Sequence, residues 1–385
     1  MIDIIVPVFD GVEETRQCLD SVLRAVQRSA VELVVVDDAT PRAEIARYLD
    51  GLAHGGKITL LRNPANEGFV RSVNRGTALH PGRDVILLNS DTEVANDWAD
   101  RLAAAAYSAN DIATVTPFSN NATICSYPYE GWTEAMPGTL GVDGLDRVVS
   151  EANRGRRADI PTAVGFCMFI RRECLERVGS FDADRFGRGY GEENDFCMRA
   201  AKAGWRNVLA ADVFVFHHGA VSFSQERNAM MDAARATLCG LHPDYPRIVQ
   251  EFIDRDPIAD LRGAIDRARA ARGAAEAEAV LRERAMERHG LLARKHEIEA
   301  EREELRRGLA EATAIVAERS ARLAERERAL DERDAEIAKL HAGLAHAESL
   351  AFERADELER IRRLPLWRLY QRLLKSNPDK TPTDG

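Results

Sequence analysis

The stretch Val85-Ile86-Leu87-Leu88-Asn89-Ser90-Asp91-Thr92-Glu93 decides how the chain is read. Four apolar residues in a row follow Pro81, Gly82 and the charged Arg83-Asp84, and such a run reads as a strand buried on both faces. The run stops at the polar cluster Asn89, Ser90 and Asp91. In an open α/β sheet, ligands sit outside the carboxyl ends of the strands, so a carboxylate here is placed to hold a hard cation and a diphosphate. An Asx turn that merely ends a strand is the plain alternative.

Working outward, the pattern repeats. Residues 2–8 and the run Leu33-Val34-Val35-Val36 read as further strands, and the second of these ends in Asp37-Asp38. The apolar set Leu19, Val22, Leu23 and Val26 follows helical spacing, and residues 41–52 and 69–79 also read as helices. Residues 57–61 form a third strand before the turn-rich Asn63-Pro64-Ala65-Asn66-Glu67-Gly68. Strand and helix in alternation predict a doubly wound, mostly parallel sheet. Residues 95–108 continue it as a helix, and 112–115 as a strand.

Residues 117–160, punctuated by Pro128, Gly131, Pro137, Gly138, Gly141 and Gly144, read as a long irregular stretch of the kind that usually serves function. Residues 163–170 then read as a strand and 171–178 as a short helix. Gly187, Gly189 and Gly191 lead into Glu192-Glu193-Asn194-Asp195, which opens another helix. Val213-Phe214-Val215-Phe216 is a last strand and meets His217-His218. Each polar cluster has a bland explanation; Glu192-Glu193, for instance, complements a helix dipole. Several strand ends offering carboxylate or imidazole to one edge is instead how an α/β site for a charged ligand is built.

Composition sets the outer bounds. A net charge of -10 argues against general nucleic-acid binding. The six cysteines are scattered without a C-x-x-C pair and read as reduced core residues. No signal peptide is read at Met1, and no apolar stretch reaches the roughly 18 residues of a membrane span, so a cytoplasmic location is expected.

The order of motifs carries a resemblance. Ile4-Ile5-Val6-Pro7-Val8, Val36-Asp37-Asp38, Asn63-Pro64-Ala65-Asn66-Glu67-Gly68-Phe69, Leu88-Asn89-Ser90-Asp91, Gly189-Tyr190-Gly191-Glu192-Glu193-Asn194-Asp195 and Val215-Phe216-His217 resemble the family 2 glycosyltransferases, inverting enzymes of the GT-A fold. The resemblance spans residues 1–241. It implies a nucleotide pocket lined by Pro7, Val8, Asp37, Asp38, Asn66 and Gly68. It implies that Asn89-Ser90-Asp91 stands for the family's D-x-D, with Asn in place of the first Asp, so that Asp91 is its charged metal ligand. His217 matches the family's second metal ligand, with His218 as the alternative, and Mn²⁺ or Mg²⁺ is the implied cation. The catalytic base matches Glu193, where Asp is more usual, with Glu192 and Asp195 as the other candidates. The implied reaction moves a hexosyl or deoxyhexosyl group from a nucleotide sugar to a saccharide or lipid-linked acceptor in surface polysaccharide or glycolipid synthesis. A sugar-nucleotide nucleotidyltransferase fits less well, because Asp10-Gly11-Val12-Glu13-Glu14 is acidic where a triphosphate loop needs cations. A non-catalytic coiled-coil scaffold is the third reading.

Beyond residue 256 the chain turns rich in Ala, Arg and Glu. The expected division is a catalytic domain at 1–255, a helical coiled coil at 256–360 and a basic amphipathic tail at 361–385. Leu309, Val316, Leu323, Leu330, Ile337, Leu344, Ala351 and Leu358 recur every seven residues, a heptad seam that suits a homo-oligomer. Three residues further on, Arg319, Arg326, Arg333 and Arg354 interrupt the second seam, which suits a solvated single helix. Residues 360–375 hold six basic side chains and no acid, with Trp367 and Leu369 among them. Such a segment lies on an anionic membrane surface, docks onto the catalytic domain, or meets a partner.

Overall fold

Alternation along each strand sends successive side chains to opposite faces, and the first strands do this with apolar residues on both. The structure, a computed structural model, describes residues 1–129, 131–132, 135–187, 189–219 and 225–375. It opens with β1 (Ile2–Val8), α1 (Val12–Arg24), β2 (Val31–Asp37), α2 (Ala43–His54), β3 (Thr59–Arg62), α3 (Phe69–Thr77) and β4 (Asp84–Leu88). It continues with β5 (Thr92–Glu93), α4 (Trp98–Ala106), β6 (Ile112–Phe118), β7 (Asn121–Thr123), β8 (Gly131–Trp132), α5 (Gly141–Asn153), β9 (Arg157–Ile160) and β10 (Cys167–Ile170). Then come α6 (Arg172–Val178), α7 (Ala183–Phe186), α8 (Glu192–Lys202), β11 (Arg206–Phe214), β12 (Phe216–His217), α9 (Gln225–Leu241), α10 (Tyr245–Arg255) and α11 (Ala259–Ala270). Two helices close the described chain, α12 (Ala274–Arg363) and α13 (Pro365–Lys375).

Eight strands form the central sheet in the order β3-β2-β1-β4-β10-β6-β11-β9. The pairs β1–β2, β1–β4, β2–β3 and β6–β11 are parallel, whereas β10 runs antiparallel to both β4 and β6, and β9 antiparallel to β11. The α/β domain of GT-A type, with a mostly parallel sheet, therefore forms as expected. The strand order reverses at β1, between β2 and β4, and the crevice outside the carboxyl ends at such a switch point is where ligands bind in open sheets.

Two apolar layers cover the sheet. Ile4, Val6, Ile86 and Leu88 face one layer with α1, α4 and α5. Ile5, Val34, Val85 and Leu87 face the other with α3 and α8. Gly76 in α3 permits close approach, since a Cβ there would stand 2.6 Å from the Ile5 side chain. Fully burying each such aliphatic side chain contributes about 1.5–3 kcal/mol, which makes these layers the main stabilising term.

The stretch 117–160 is not irregular. It contains the end of β6, then β7, β8, the 13-residue α5 and β9. Leu145, Val148 and Val149 are buried at helical spacing and outweigh Gly141 and Gly144 in α5. The strand expected at 163–170 forms only over Cys167–Ile170.

Two compact units divide the chain, Met1–Leu291 and Leu292–Gly385. The composition break near Asp256 falls inside the first unit. Ile258, Leu261 and Ile265 are all buried there, and Arg269 is fully enclosed. Arg269 donates to Glu276 at 2.8 Å, to Glu283 at 2.6 Å and to the Tyr127 hydroxyl at 2.9 Å. In the second unit α12 runs on as one helix with its side chains exposed. Residues 376–385 of the expected tail lie outside the described residues.

Candidate active site

The carboxyl edge of the sheet at β1 and β4 gathers most of the residues singled out in the sequence. Pro7 and Val8 end β1, opposite Val36 and Asp37 of β2. Asp38 follows, tied by its N–H to the Val8 carbonyl at 2.8 Å. Its buried carboxylate accepts from Asn63 Nδ2 at 2.7 Å and from the N–H groups of Glu67 and Gly68 at 2.8 and 2.9 Å. Asp38 thus holds the loop that carries the exposed Asn66, and Gly68, at φ +88°, turns that loop into α3. Asp37 is also buried; it accepts from the Thr40 N–H at 2.8 Å and from Arg62 Nε at 3.1 Å.

Past β4, the Asn89 N–H donates to the Phe166 carbonyl at 2.8 Å, which anchors Asn89-Ser90-Asp91 beside the start of β10. The short strand β5 pairs with β12, opposing Thr92 to His217 and Glu93 to Phe216. This pairing joins residues more than a hundred positions apart and sets His217 Nε2 3.4 Å from Asp91 Oδ1. His217 Nδ1 faces the Asn121 carbonyl at 2.8 Å. A carbonyl only accepts, so Nδ1 carries a proton, and Nε2 is the ring nitrogen turned towards Asp91. Asn120 clamps the His217 backbone through both amide atoms, at 2.8 and 2.9 Å, and Phe166 stacks on the imidazole with ring centroids 5.2 Å apart. Burial pushes the Asp91 carboxyl up, but the hydrogen bond and charge of His217 outweigh it and hold the group below the usual carboxylate range. His218 bonds Glu93 at 2.9 Å, and that contact raises the pKa of this imidazole.

These groups fit a divalent cation. Asp91 supplies an ionised oxygen, and the Nδ1 hydrogen bond of His217 orients its Nε2, which a cation would bind in place of a proton. Within the same motif the Asn89 Oδ1 is buried with no hydrogen-bond partner, a cost that a cation would relieve.

The acidic helix start behaves differently. Gly191, at φ +89°, begins α8, and Glu192 is buried with Oε2 unpartnered. Burial, and then the charge of Glu193, push the Glu192 carboxyl well above its usual value of 4.5. Burial also raises Glu193, against the helix-start amides that favour its ionised form. The Glu193 side chain lies beside Gly165, whose Cβ would meet it at 3.5 Å. Gly165 precedes Phe166, so one two-residue segment separates Glu193 from the ring stacked on His217. Asp195 turns inward: His242 Nε2 and Arg199 Nε each hold its carboxylate at 2.8 Å, leaving no oxygen for an acceptor.

Asn120, Asn121, Gly165 and Phe166 were missed in the sequence. The tandem Asn120-Asn121 was the one visible hint, because with Ser119 it makes a polar run just past the apolar end of β6. A second polar group, Asp3, Glu32 and His80, brings ligand-type atoms within 4.8 Å of one another at the opposite, amino end of the strands. Arg83 Nη1 donates there to Asp3 at 2.9 Å and to Glu32 at 2.5 Å, so a guanidinium already balances those carboxylates.

The fold is an α/β domain of GT-A type, with a carboxylate and an imidazole brought together at its sheet edge. The family model described as Glycosyl transferase family 2 matches residues 3–179, under half of the chain, and this part is similar to that family. The match ends before α8, so Glu192, Glu193 and His217 lie beyond it. Uncharacterized protein y4gI of Sinorhizobium fredii is 23% identical over 239 residues, 59% of this chain and 25% of that protein. Polypeptide N-acetylgalactosaminyltransferase 4 of Caenorhabditis elegans is 27% identical over 183 residues, 45% of this chain and 30% of that protein. The chain thus spans less than a third of the length of either relative. A crystal structure of GalNAc-T7 with UDP, GalNAc and Mn2+ aligns with a TM-score of 0.49 and 16% identity, over 70% of this chain and 54% of that one.

Proposed function

We propose that the chain transfers a hexosyl or deoxyhexosyl group from a nucleoside-diphosphate sugar to an acceptor hydroxyl, with inversion at the anomeric carbon. The observation that carries this reading is the pairing of β5 with β12, which sets Asp91 against the oriented imidazole of His217 on the sheet edge that Glu193 also approaches. Asp91 and His217, with Asn89 and Ser90 beside them, would hold Mn²⁺ or Mg²⁺, which neutralises charge on a leaving diphosphate. Pro7, Val8, Asp37, Asp38, Asn66 and Gly68 frame the nucleotide side, and Asp38 acts by fixing the loop that closes it.

Glu193 serves as the base. The acceptor oxygen forms its bond to the anomeric carbon as the bond to the diphosphate breaks, and the hydroxyl proton passes to the Glu193 carboxylate. A carboxylate with a raised pKa suits this, because general bases work best when their pKa lies near the operating pH. Glu192, buried and protonated beside it, limits the negative charge at the helix start.

The acceptor is a saccharide or a lipid-linked saccharide of a surface polysaccharide or glycolipid, met at the inner face of a membrane. No helix of the described residues is long and apolar enough to cross a membrane. α13 instead exposes Leu366, Leu369 and Tyr370 in a stretch whose charges are all basic. Leu366→Glu with Leu369→Glu should abolish co-sedimentation with phosphatidylglycerol vesicles; retained binding removes the membrane from the proposal. The reaction itself is tested by incubating the chain with nucleotide sugars, Mn²⁺ and saccharide acceptors, and reading product stereochemistry by NMR. Retained anomeric configuration, or release of diphosphate from a triphosphate in place of sugar transfer, rejects it.

A further inference from the structure

The second unit leaves one feature without a function. Along α12, Leu309, Val316, Leu323, Leu330, Ile337 and Leu344 recur every seven residues and are between 49% and 70% exposed. One residue type per seven positions would drift around an isolated helix of 3.6 residues per turn, so a sustained heptad favours a supercoiled partner. Calling these positions a, the d positions Arg319, Arg326 and Arg333 set three guanidinium groups in the seam, which opposes such a partner.

The flanking charges answer the objection. Arg326 and Arg333 are each followed at position e by an acid, Glu327 and Asp334. In a parallel pair, the hole that receives a d side chain includes the partner's e residue, so each of these arginines meets a carboxylate of the other chain. Pairs between g and the following e' are also favourable: Arg322 faces Glu327, and Glu336 faces His341. An antiparallel pair centred on this region instead sets Glu327 and Asp334 against their own kind. On one helix Arg322 contacts Glu318 at 2.7 Å, but an exposed pair of that type contributes too little to prevent exchange.

We propose that residues 309–361 pair with the same residues of a second copy as a parallel, in-register two-stranded coiled coil. The partner is identified by complementarity: in this orientation Arg326 and Arg333, which face their own copies across the seam, each have an acid of the other chain beside them, Glu327 and Asp334. The inference is independent of the sugar-transfer reading.

The test uses the full chain, with cysteines placed singly at Leu309, Leu330 and Leu344. In register, each faces its own copy and cross-links across the pair on mild oxidation, so all three variants should run as covalent dimers on non-reducing gels. Arg328→Cys, on the outer face, should stay at background. An antiparallel pair cross-links at no more than one of the three positions. Glu327→Arg should weaken the dimer roughly tenfold by light-scattering dilution, and Arg322→Glu in the same chain should restore it. A monomeric mass for the unaltered chain, or cross-linking no greater at Leu330 than at Arg328, overturns the proposal.

Discussion

Asp91 and Glu192 are both carboxylates at the carboxyl edge of one sheet, and their surroundings differ in kind. Asp91 faces an imidazole at 3.4 Å, and that contact holds it ionised. Glu192 lies buried with an oxygen that meets no donor among the described residues, and burial together with the charge of Glu193 pushes its carboxyl well above the usual 4.5. The difference teaches how one acidic side chain is put to two uses. A partly exposed carboxylate beside a nitrogen is a permanent charge that suits a cation. A buried pair sharing negative charge is a proton store that suits acid–base work. Environments that push titratable groups apart in this way are what assign roles in a site.

The comparison breaks most visibly at Glu193. Glu193→Gln should lower turnover by about 10²- to 10⁴-fold while leaving donor affinity intact, because a base acts only in the chemical step. That is roughly 3–5 kcal/mol of transition-state stabilisation. Glu193→Asp should retain more activity than Glu193→Gln, since it shortens reach and keeps the carboxylate. Turnover of the unaltered chain should rise with pH above 4.5, as Glu193 loses its proton. A pH profile unchanged by Glu193→Gln, or a large defect in Glu192→Gln instead, moves the base to another residue.

Next in size is the permanent charge. Asp91→Ala should weaken UDP or GDP binding in Mn²⁺ by about 100-fold, the upper range for groups that support a metal ligand. The same variant should bind like the unaltered chain in excess chelator. Equal affinity of the unaltered chain with and without chelator would remove the cation from the site.

The smallest expected effect is on stability. The folded pKa of Glu192 lies above its unfolded value, so the native state binds more protons, and stability falls as pH rises from 4.5 through the folded pKa. Glu192→Gln cannot ionise. It should therefore be more stable than the unaltered chain at pH 7, because it carries no proton-linkage cost. Below pH 4.5 the advantage should vanish. An advantage that persists in acid would mean packing, not charge, and would end the contrast with Asp91.

Much of this was legible in the chain. Asp91, His217 and Glu193 stand at element ends that the period of the apolar residues predicts, because a run of buried residues must end where polar groups begin. The antiparallel insertion of β10 was not legible, since Cys167-Met168-Phe169-Ile170 is apolar whichever way it runs. Nor was α5, where two glycines masked a buried stripe. Asp195 looked equivalent to its neighbours until Arg199 and His242 closed on it.

The sequence by itself determined the elements, the chemistry available at their ends and the heptad stripe, because all three are local in period or composition. Only the tertiary structure decided which carboxyl is held low and which is pushed up. That depends on what reaches each carboxylate from far along the chain: β12 brings His217 to Asp91, whereas no donor among the described residues meets Glu192 Oε2. Ionisation is set by burial and neighbours within a few ångströms, and those neighbours are chosen by the packing of the sheet.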